Sequence, residues 1–211
     1  MFENQEQPIE LSVVVLGYRA EENIIPFIEK LKLLLDKICQ HWQIVLVGNY
    51  IIGSNDKTKE IVEQLAAQDS RIKKVIKPKR GMMGWDMRKG LNAADGKYIC
   101  VIDGDGQFPI ESLEQAYKII KEQNLDLVKT YRCKRYDGIY RTIVSKVYNF
   151  IFRLLFPRLR KFKDANSKPK IMTRTALKQM TLESNDWFID AEIMINVARL
   201  NLKVFEFPIY F

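Results

Sequence analysis

The 211-residue chain is long enough to bury a substantial core, and its 47% hydrophobic content argues for a globular protein rather than a disordered one. Three scattered cysteines (Cys39, Cys100, Cys133) with no CxxC pair predict reduced thiols, and the single histidine, His41, excludes a histidine-based metal centre and a Ser-His-Asp triad. The formal net charge of +8 points to an anionic partner.

Residues 1–8 are a polar lead-in, not leader-like, and no apolar stretch approaches the ~20 residues of a membrane span, so the sequence predicts a cytosolic setting. Leu11 to Leu16 is a short β-branched apolar run that reads as a buried strand, and Gly17-Tyr18-Arg19 turns out of it. Asn23 is placed to cap a helix with Pro26 in its first turn, and Ile24, Phe27, Ile28, Leu31, Leu34, Leu35 and Ile38 recur at helical spacing. Ile44 to Val47 reads as a second strand, followed by the loop GNYIIGSNDKT and a helix from Thr58 to Ala67. Val75 and Ile76 mark a short third strand, residues 77–84 a basic Gly/Met loop, and a helix runs from about Asp86 to Ala94. Tyr98 to Ile102 is a fourth strand, Pro109 to Gln123 a helix and Leu125 to Thr130 a further strand. The polar segment Asp164 to Arg174 enters a short strand, then comes a helix containing Trp187, Phe188, Asp190 and Glu192, then a last strand from Val204 to Phe211. This alternation predicts one α/β domain, residues 1–211, with a mainly parallel sheet. Ligands of such sheets sit at the carboxyl ends of the strands, so Gly17-Tyr18, Gly48-Asn49 and Asp103-Gly104-Asp105 are expected on one rim.

Two local patterns carry chemistry. The fourth strand ends in Asp103-Gly104-Asp105-Gly106-Gln107. Two carboxylates one small residue apart, with a third oxygen donor two further on, suit a hard cation such as Mg²⁺ or Mn²⁺; Asp and Gly are also turn residues, so a plain turn stays open. The second pattern is charge. Residues 129–174 hold 14 Lys or Arg against Asp137 and Asp164, an excess of +12 that leaves about −4 for the remainder. Within it, residues 141–162 place Ile143, Val144, Val147, Phe150, Ile151, Leu154 and Leu155 on one helical face, rimmed by Arg141, Lys146, Arg153, Arg158, Arg160 and Lys161, with Pro157 ending or kinking the helix. That basic amphipathic pattern fits a membrane interface or a helix packed on the sheet.

Five segments in order resemble glycosyltransferase family 2, nucleotide-sugar-dependent enzymes with a Rossmann-like GT-A fold, and within it the dolichyl- and polyprenyl-phosphate mannosyl- or glucosyltransferase branch. They are VVVLGYRAEENI; Gly53-Ser54-Asn55-Asp56-Lys57-Thr58; GMMGWDMRKGLNAADGKYI; Asp103, Asp105, Gln107 and Pro109; and Asp164, Ser167 and Lys170. The resemblance runs from about Leu11 to Phe211. The sequence departs from the family pattern at Gly48-Asn49-Tyr50-Ile51-Ile52, where two acidic residues usually precede GS, and at Leu16-Gly17 and Arg19-Ala20 in the first loop. It ends before the basic segment and membrane helices that polyprenyl-phosphate enzymes often carry after the last strand.

The resemblance implies metal-dependent, inverting transfer of a hexose from a GDP- or UDP-linked sugar to a polyprenyl or dolichyl phosphate, by a protein peripheral to the cytoplasmic face of a membrane. Asp103, Asp105 and Gln107 would hold Mg²⁺ or Mn²⁺; Tyr18, Glu21, Glu22, Asn49, Asp56, Arg88, Asp103 and Gly104 would face the nucleotide sugar; Arg132, Arg141 and Ser145 would cradle the acceptor phosphate. Asp164, Ser167 and Lys170 are further acceptor candidates. A sugar hydroxyl acceptor would instead require a carboxylate base, for which Asp190 and Glu192 are the candidates. Three alternatives remain. A nucleotidyltransferase normally has a Gly-rich basic loop after its first strand, where LGYRAEEN is acidic. A basic adaptor would leave DGDGQ without a purpose, and aromatics at helical spacing do not suit nucleic acid. The third is a catalytically weak family member that binds nucleotide sugar or membrane.

Overall fold

The computed structural model describes residues 7–134, 147, 150, 151 and 154–210. Strand β1 (Leu11–Leu16) is buried throughout and lies at the heart of a seven-stranded sheet. Its neighbours are β2 (Trp42–Val47) and β4 (Tyr98–Asp103), both parallel to it; β3 (Ile72–Val75) lies outside β2. On the other side follow β6 (Lys170–Thr173), β5 (Leu127–Lys134) and β7 (Val204–Tyr210), in the order β3-β2-β1-β4-β6-β5-β7. Among the described residues only β6 runs against the rest, antiparallel to β4 and β5, so the sheet is mainly parallel as expected.

Alternate residues of β1 enter opposite cores, which is why the strand is apolar at every position but Ser12. Val13 and Val15 meet α1 (Ile24–Ile38), α2 (Thr58–Gln68) and α4 (Glu111–Glu122) on one face. Val14 and Leu16 meet α3 (Met83–Ala93) and α6 (Ile189–Arg199) on the other. A short helix, α5 (Arg174–Gln179), follows β6 and is capped by Thr173, whose side chain accepts from Ala176 N. The sequence pattern did not register it.

Several boundaries and caps differ from expectation for physical reasons. Strand β3 begins at Ile72, not Val75: it is a sheet edge, where Lys73 and Lys74 face solvent and discourage pairing with another chain. Helix α3 starts at Met83 rather than Asp86, because the amides of Met82, Gly84 and Trp85 donate to the carbonyls of Asn185 and Asp186, a cap supplied from a distant segment. Asn23 occupies the cap position of α1 but makes no side-chain cap bond, since a 3-10 turn (Glu21–Asn23) leads directly into the helix. Trp187 and Phe188 precede α6 rather than belonging to it.

Of the expected basic helix 141–162, residues 141–146, 148–149 and 152–153, with Arg141 and Ser145, lie outside the described residues. Val147, Phe150, Ile151, Leu154 and Leu155 are helical and all exposed, and the helix gives way to a 3-10 turn at Pro157–Leu159.

Helix α3 approaches the sheet closely at Gly90, where a Cβ would lie 2.3 Å from Val14 Cγ1 and 2.9 Å from Val47 Cγ2. Both neighbours are rigid β-branched side chains of central strands. Gly90→Ala therefore lowers stability by about 1–3 kcal/mol through overpacking, despite a helix-propensity gain of about 1 kcal/mol. A fall in Tm of roughly 2–10 °C is the expected calorimetric result.

Candidate active site

In-register parallel pairing sets Leu16 opposite both Val47 and Asp103, so β1, β2 and β4 end at one level. The segments that leave them form the expected rim. Close packing demands small residues there: a Cβ on Gly17 would meet Ile24 Cδ1 at 2.6 Å, and one on Gly104 would meet it at 3.0 Å. Above the rim opens a cleft of about 640 Å³ lined by Tyr18, Arg19, Lys79, Met82, Met83, Asp86, Asp103, Gly104, Asp105 and Trp187, among others. Arg19 and Glu21 both adopt positive φ (51° and 46°), so the β1–α1 loop is held in a left-handed conformation uncommon outside glycine.

One end of the cleft is built on a buried pair. Lys79 Nζ lies 3.9 Å from the Tyr18 ring centroid and pairs with Asp86, whose other oxygen accepts from Asn49 Nδ2 at 2.8 Å. Asn49 Oδ1 accepts from Lys77 N at 2.8 Å. Asn49, expected to face the nucleotide, is thus 2% exposed and braces the floor through both ends of its amide.

The other end carries the two aspartates, and they differ. Asp103 is partly buried, and both its oxygens accept from Lys168 Nζ, at 2.9 and 3.0 Å. Asp105 is exposed, its Oδ1 accepts from Gln107 N at 3.0 Å, and Gly106 makes the turn with φ 70°. Partial burial, followed by the neighbouring Asp103 charge, pushes the Asp105 carboxyl above its ordinary value. Asp105 also borders a second hollow of about 380 Å³ beside Phe27, Lys30 and Phe108. Among the described residues no three His, Cys, Asp or Glu side chains converge as a metal centre. The donor set of one exposed carboxylate, a second behind it and the adjacent exposed Gln107 fits a Mg²⁺ or Mn²⁺ ion completed by phosphate oxygens.

Several expected ligand-binding residues stand elsewhere. Arg88 donates to Glu183 O and Asn185 Oδ1, both at 2.7 Å, tethering the 183–186 loop beside a different hollow. Asp56 accepts from Thr58 N at 3.0 Å and starts α2. Glu21 and Glu22 lie outside the lining of the cleft, and the Glu21 amide donates to Thr58 Oγ1. Tyr18, Asp103 and Gly104 do line it.

The segment 164–170, expected to be a polar loop, is instead buried between β5 and α6. Arg132 grips Asp164 through Nε–Oδ2 at 2.7 Å and Nη2–Oδ1 at 3.1 Å. Burial opposes the Asp164 charge, but Arg132 and Lys129 outweigh it and hold the carboxyl below the ordinary range. Ser167 Oγ shares a hydrogen bond with Thr130 Oγ1 at 2.7 Å. Lys170 donates to Ser167 O at 3.0 Å and pairs with Asp190, whose second oxygen is 3.7 Å from Lys168 Nζ. Burial brings the Lys170 ammonium down to about 8. Asp190, a base candidate, is 1% exposed and acts as a counter-ion. Glu192, the other candidate, accepts from Glu183 N and Ser184 N at 2.9 and 3.0 Å and so positions the loop.

Residues 12–183 match the family model for glycosyl transferase family 2. The chain belongs to that family. Undecaprenyl-phosphate 4-deoxy-4-formamido-L-arabinose transferase of Photorhabdus laumondii is 30% identical over 145 residues, covering 68% of this chain and 43% of that protein. Dolichyl-phosphate beta-glucosyltransferase ALG5A of Trichomonas vaginalis is 26% identical over 212 residues, covering 94% and 64%. This chain therefore spans less than two thirds of each. Among solved structures, glucosyl-3-phosphoglycerate synthase from Mycobacterium tuberculosis, in complex with Mn²⁺, UDP and glucosyl-3-phosphoglycerate, superposes with a TM-score of 0.74 at 18% identity, over 96% of this chain and 70% of that one. The fold of the family 2 domain is GT-A, as the motifs implied.

Met83 and Asp86 lie inside a segment that resembles the family without being singled out there, and the motifs did not point to Lys79, Lys168 or Trp187. Lys168 lies two residues before Lys170, and only Lys170 falls on the motif. The Asp164–Arg132 pair yields a stability prediction. Asp164 has a folded pKa below its ordinary 3.8, so its contribution is complete above that value and vanishes as pH falls through the folded pKa. Asp164→Asn is expected to cost about 3 kcal/mol in urea unfolding at pH 7, with the difference from wild type closing below about pH 4.

Proposed function

We propose that this family 2 domain transfers a hexosyl group, with inversion, from a nucleotide diphosphate sugar to a polyprenyl or dolichyl phosphate. The observation that carries the reading is the cleft at the ends of β1, β2 and β4, with an exposed carboxylate, Asp105, at one end and an aromatic–ammonium pair, Tyr18 and Lys79, at the other. The names of the relatives, which transfer sugars to undecaprenyl or dolichyl phosphate, support the acceptor class.

Tyr18, 46% exposed, offers a ring face to the nucleobase, and the Lys79 ammonium against the ring is held there by its pair with Asp86. Asp105 and Gln107, with Asp103 behind them, would hold a divalent ion, which would neutralise the departing nucleotide diphosphate. A phosphate acceptor is already anionic at neutral pH and needs aim rather than a base. This agrees with Asp190 and Glu192 being engaged inside the protein. Arg141 and Ser145 would supply that aim, with Arg132 beside them held in its bidentate pair with Asp164.

The exposed helical residues Val147, Phe150, Ile151, Leu154 and Leu155 recur at i, i+3, i+4, i+7 and i+8, followed by Arg158, Arg160 and Lys161. We assign this stripe to the cytoplasmic face of an anionic membrane, where a lipid-linked acceptor resides. No helix among the described residues is long and apolar enough to cross a membrane.

Two measurements test these readings. Transfer from GDP- or UDP-linked hexose to undecaprenyl phosphate should fall at least about a hundredfold with EDTA and in Asp105→Asn, the loss of one key electrostatic contact to the transition state. Unchanged turnover in both would remove the ion from the mechanism. Phe150→Glu combined with Leu154→Glu should weaken co-sedimentation with phosphatidylglycerol vesicles more than about tenfold, since each apolar group is worth about 1.5–3 kcal/mol when buried. Equal sedimentation would overturn the membrane assignment.

A further inference from the structure

Asp103 ends the central strand β4 at the rim of the cleft, yet a single ammonium from behind occupies both of its oxygens. Lys168 reaches it from the buried segment before β6: its side chain is 3% exposed, and its Nζ also lies 3.3 Å from the sulfur of Met83, a residue of the cleft wall. The other anions near Lys168 are Asp190, whose closer cation is Lys170, and Asp105, which feels the ammonium through space without pairing with it. Asp103 is therefore the charge that Lys168 matches. Of the two carboxylates in the DGDG turn, Asp103 is paired from inside, and Asp105 makes no ion pair among the described residues.

Divalent cations of the Mg²⁺ type dehydrate reluctantly and are commonly bound by one or two carboxylates together with substrate phosphates. With one carboxylate matched internally, the attraction for a bare ion is reduced, and the phosphates of the nucleotide must supply the missing negative charge. We propose that Lys168 is a positioning residue that makes ion loading depend on nucleotide loading, by clamping Asp103 and withholding its charge from the cleft. The inference rests on the assignment of a divalent ion to Asp105.

The test measures Mn²⁺ affinity by electron paramagnetic resonance, with Mn²⁺ alone and with Mn²⁺ plus UDP, for the wild-type chain, Lys168→Met, Asp103→Asn and Asp105→Asn. Folding of each variant is checked by thermal denaturation. Wild-type protein should bind Mn²⁺ at least about tenfold more tightly with UDP than without. Lys168→Met, which releases the Asp103 charge, should bind Mn²⁺ alone about tenfold more tightly than wild type does. A folded Lys168→Met protein with wild-type affinity for Mn²⁺ alone, or a wild type indifferent to UDP, overturns the proposal. If Lys168→Met does not fold, the isosteric Asp103→Asn decides. Retention of Mn²⁺·UDP affinity within about threefold supports the clamp, and a loss equal to that of Asp105→Asn overturns it. Absence of any Mn²⁺ binding to wild type in the presence of UDP would instead defeat the ion assignment itself, and the clamp with it.

Discussion

Everything at the candidate site depends on one register. Leu16 faces Val47 on one side and Asp103 on the other, so three parallel strands run out at the same height. A slip of one residue would exchange the two faces of β1, driving Val13 and Val15 into the core that Val14 and Leu16 now fill. Because both faces are closed by helices, such a slip is heavily penalised. The level rim, and with it the separation between Tyr18 and Asp105, is a by-product of core packing rather than of any interaction in the cleft.

Behind the rim, the structure holds charge where charge is expensive. Among the described residues, Lys129, Lys168, Lys170 and Arg132 stand against Asp103, Asp164, Asp190 and Glu206 in one contiguous block. Burial alone pushes Lys129 and Lys170 toward neutrality, and carboxylates with backbone carbonyls draw them back. Apolar side chains of similar volume would give equal or greater stability. What ions add is directionality: each ammonium fixes the position of a particular oxygen. This block reaches the cleft at Asp103, beside the contact of Lys168 with Met83.

The architecture was readable in the sequence where burial is continuous. Strands β1, β2 and β4 are mostly apolar runs because helices cover both of their faces, and the DGDG turn shows itself by local spacing alone. Edge strand β3 was misplaced by three residues because IKKV puts charge in its middle. The first turn of α3 was missed because its cap comes from Asn185 and Asp186, about a hundred residues later. The segment DANSKPK looked like a surface loop because polar composition normally means exposure. Its burial is sustained by Thr130, Arg132 and Asp190, partners that no local window contains. For the same reason the motif drew attention to Lys170, while Lys168 is the residue that touches the rim.

The remote cap of α3 bears on how the molecule is made. The amides of Met82, Gly84 and Trp85 find their acceptors only in residues 185 and 186, and Gly84 packs so tightly that a Cβ would sit 2.5 Å from Asp186 O. During synthesis from the amino end, the four leading strands emerge long before that segment does. A ribosome-bound chain would thus hold a sheet whose cleft lacks one lip until nearly the whole domain has been translated. The wall formed by Met82, Met83 and Trp187 would be the last part of the pocket to acquire its shape.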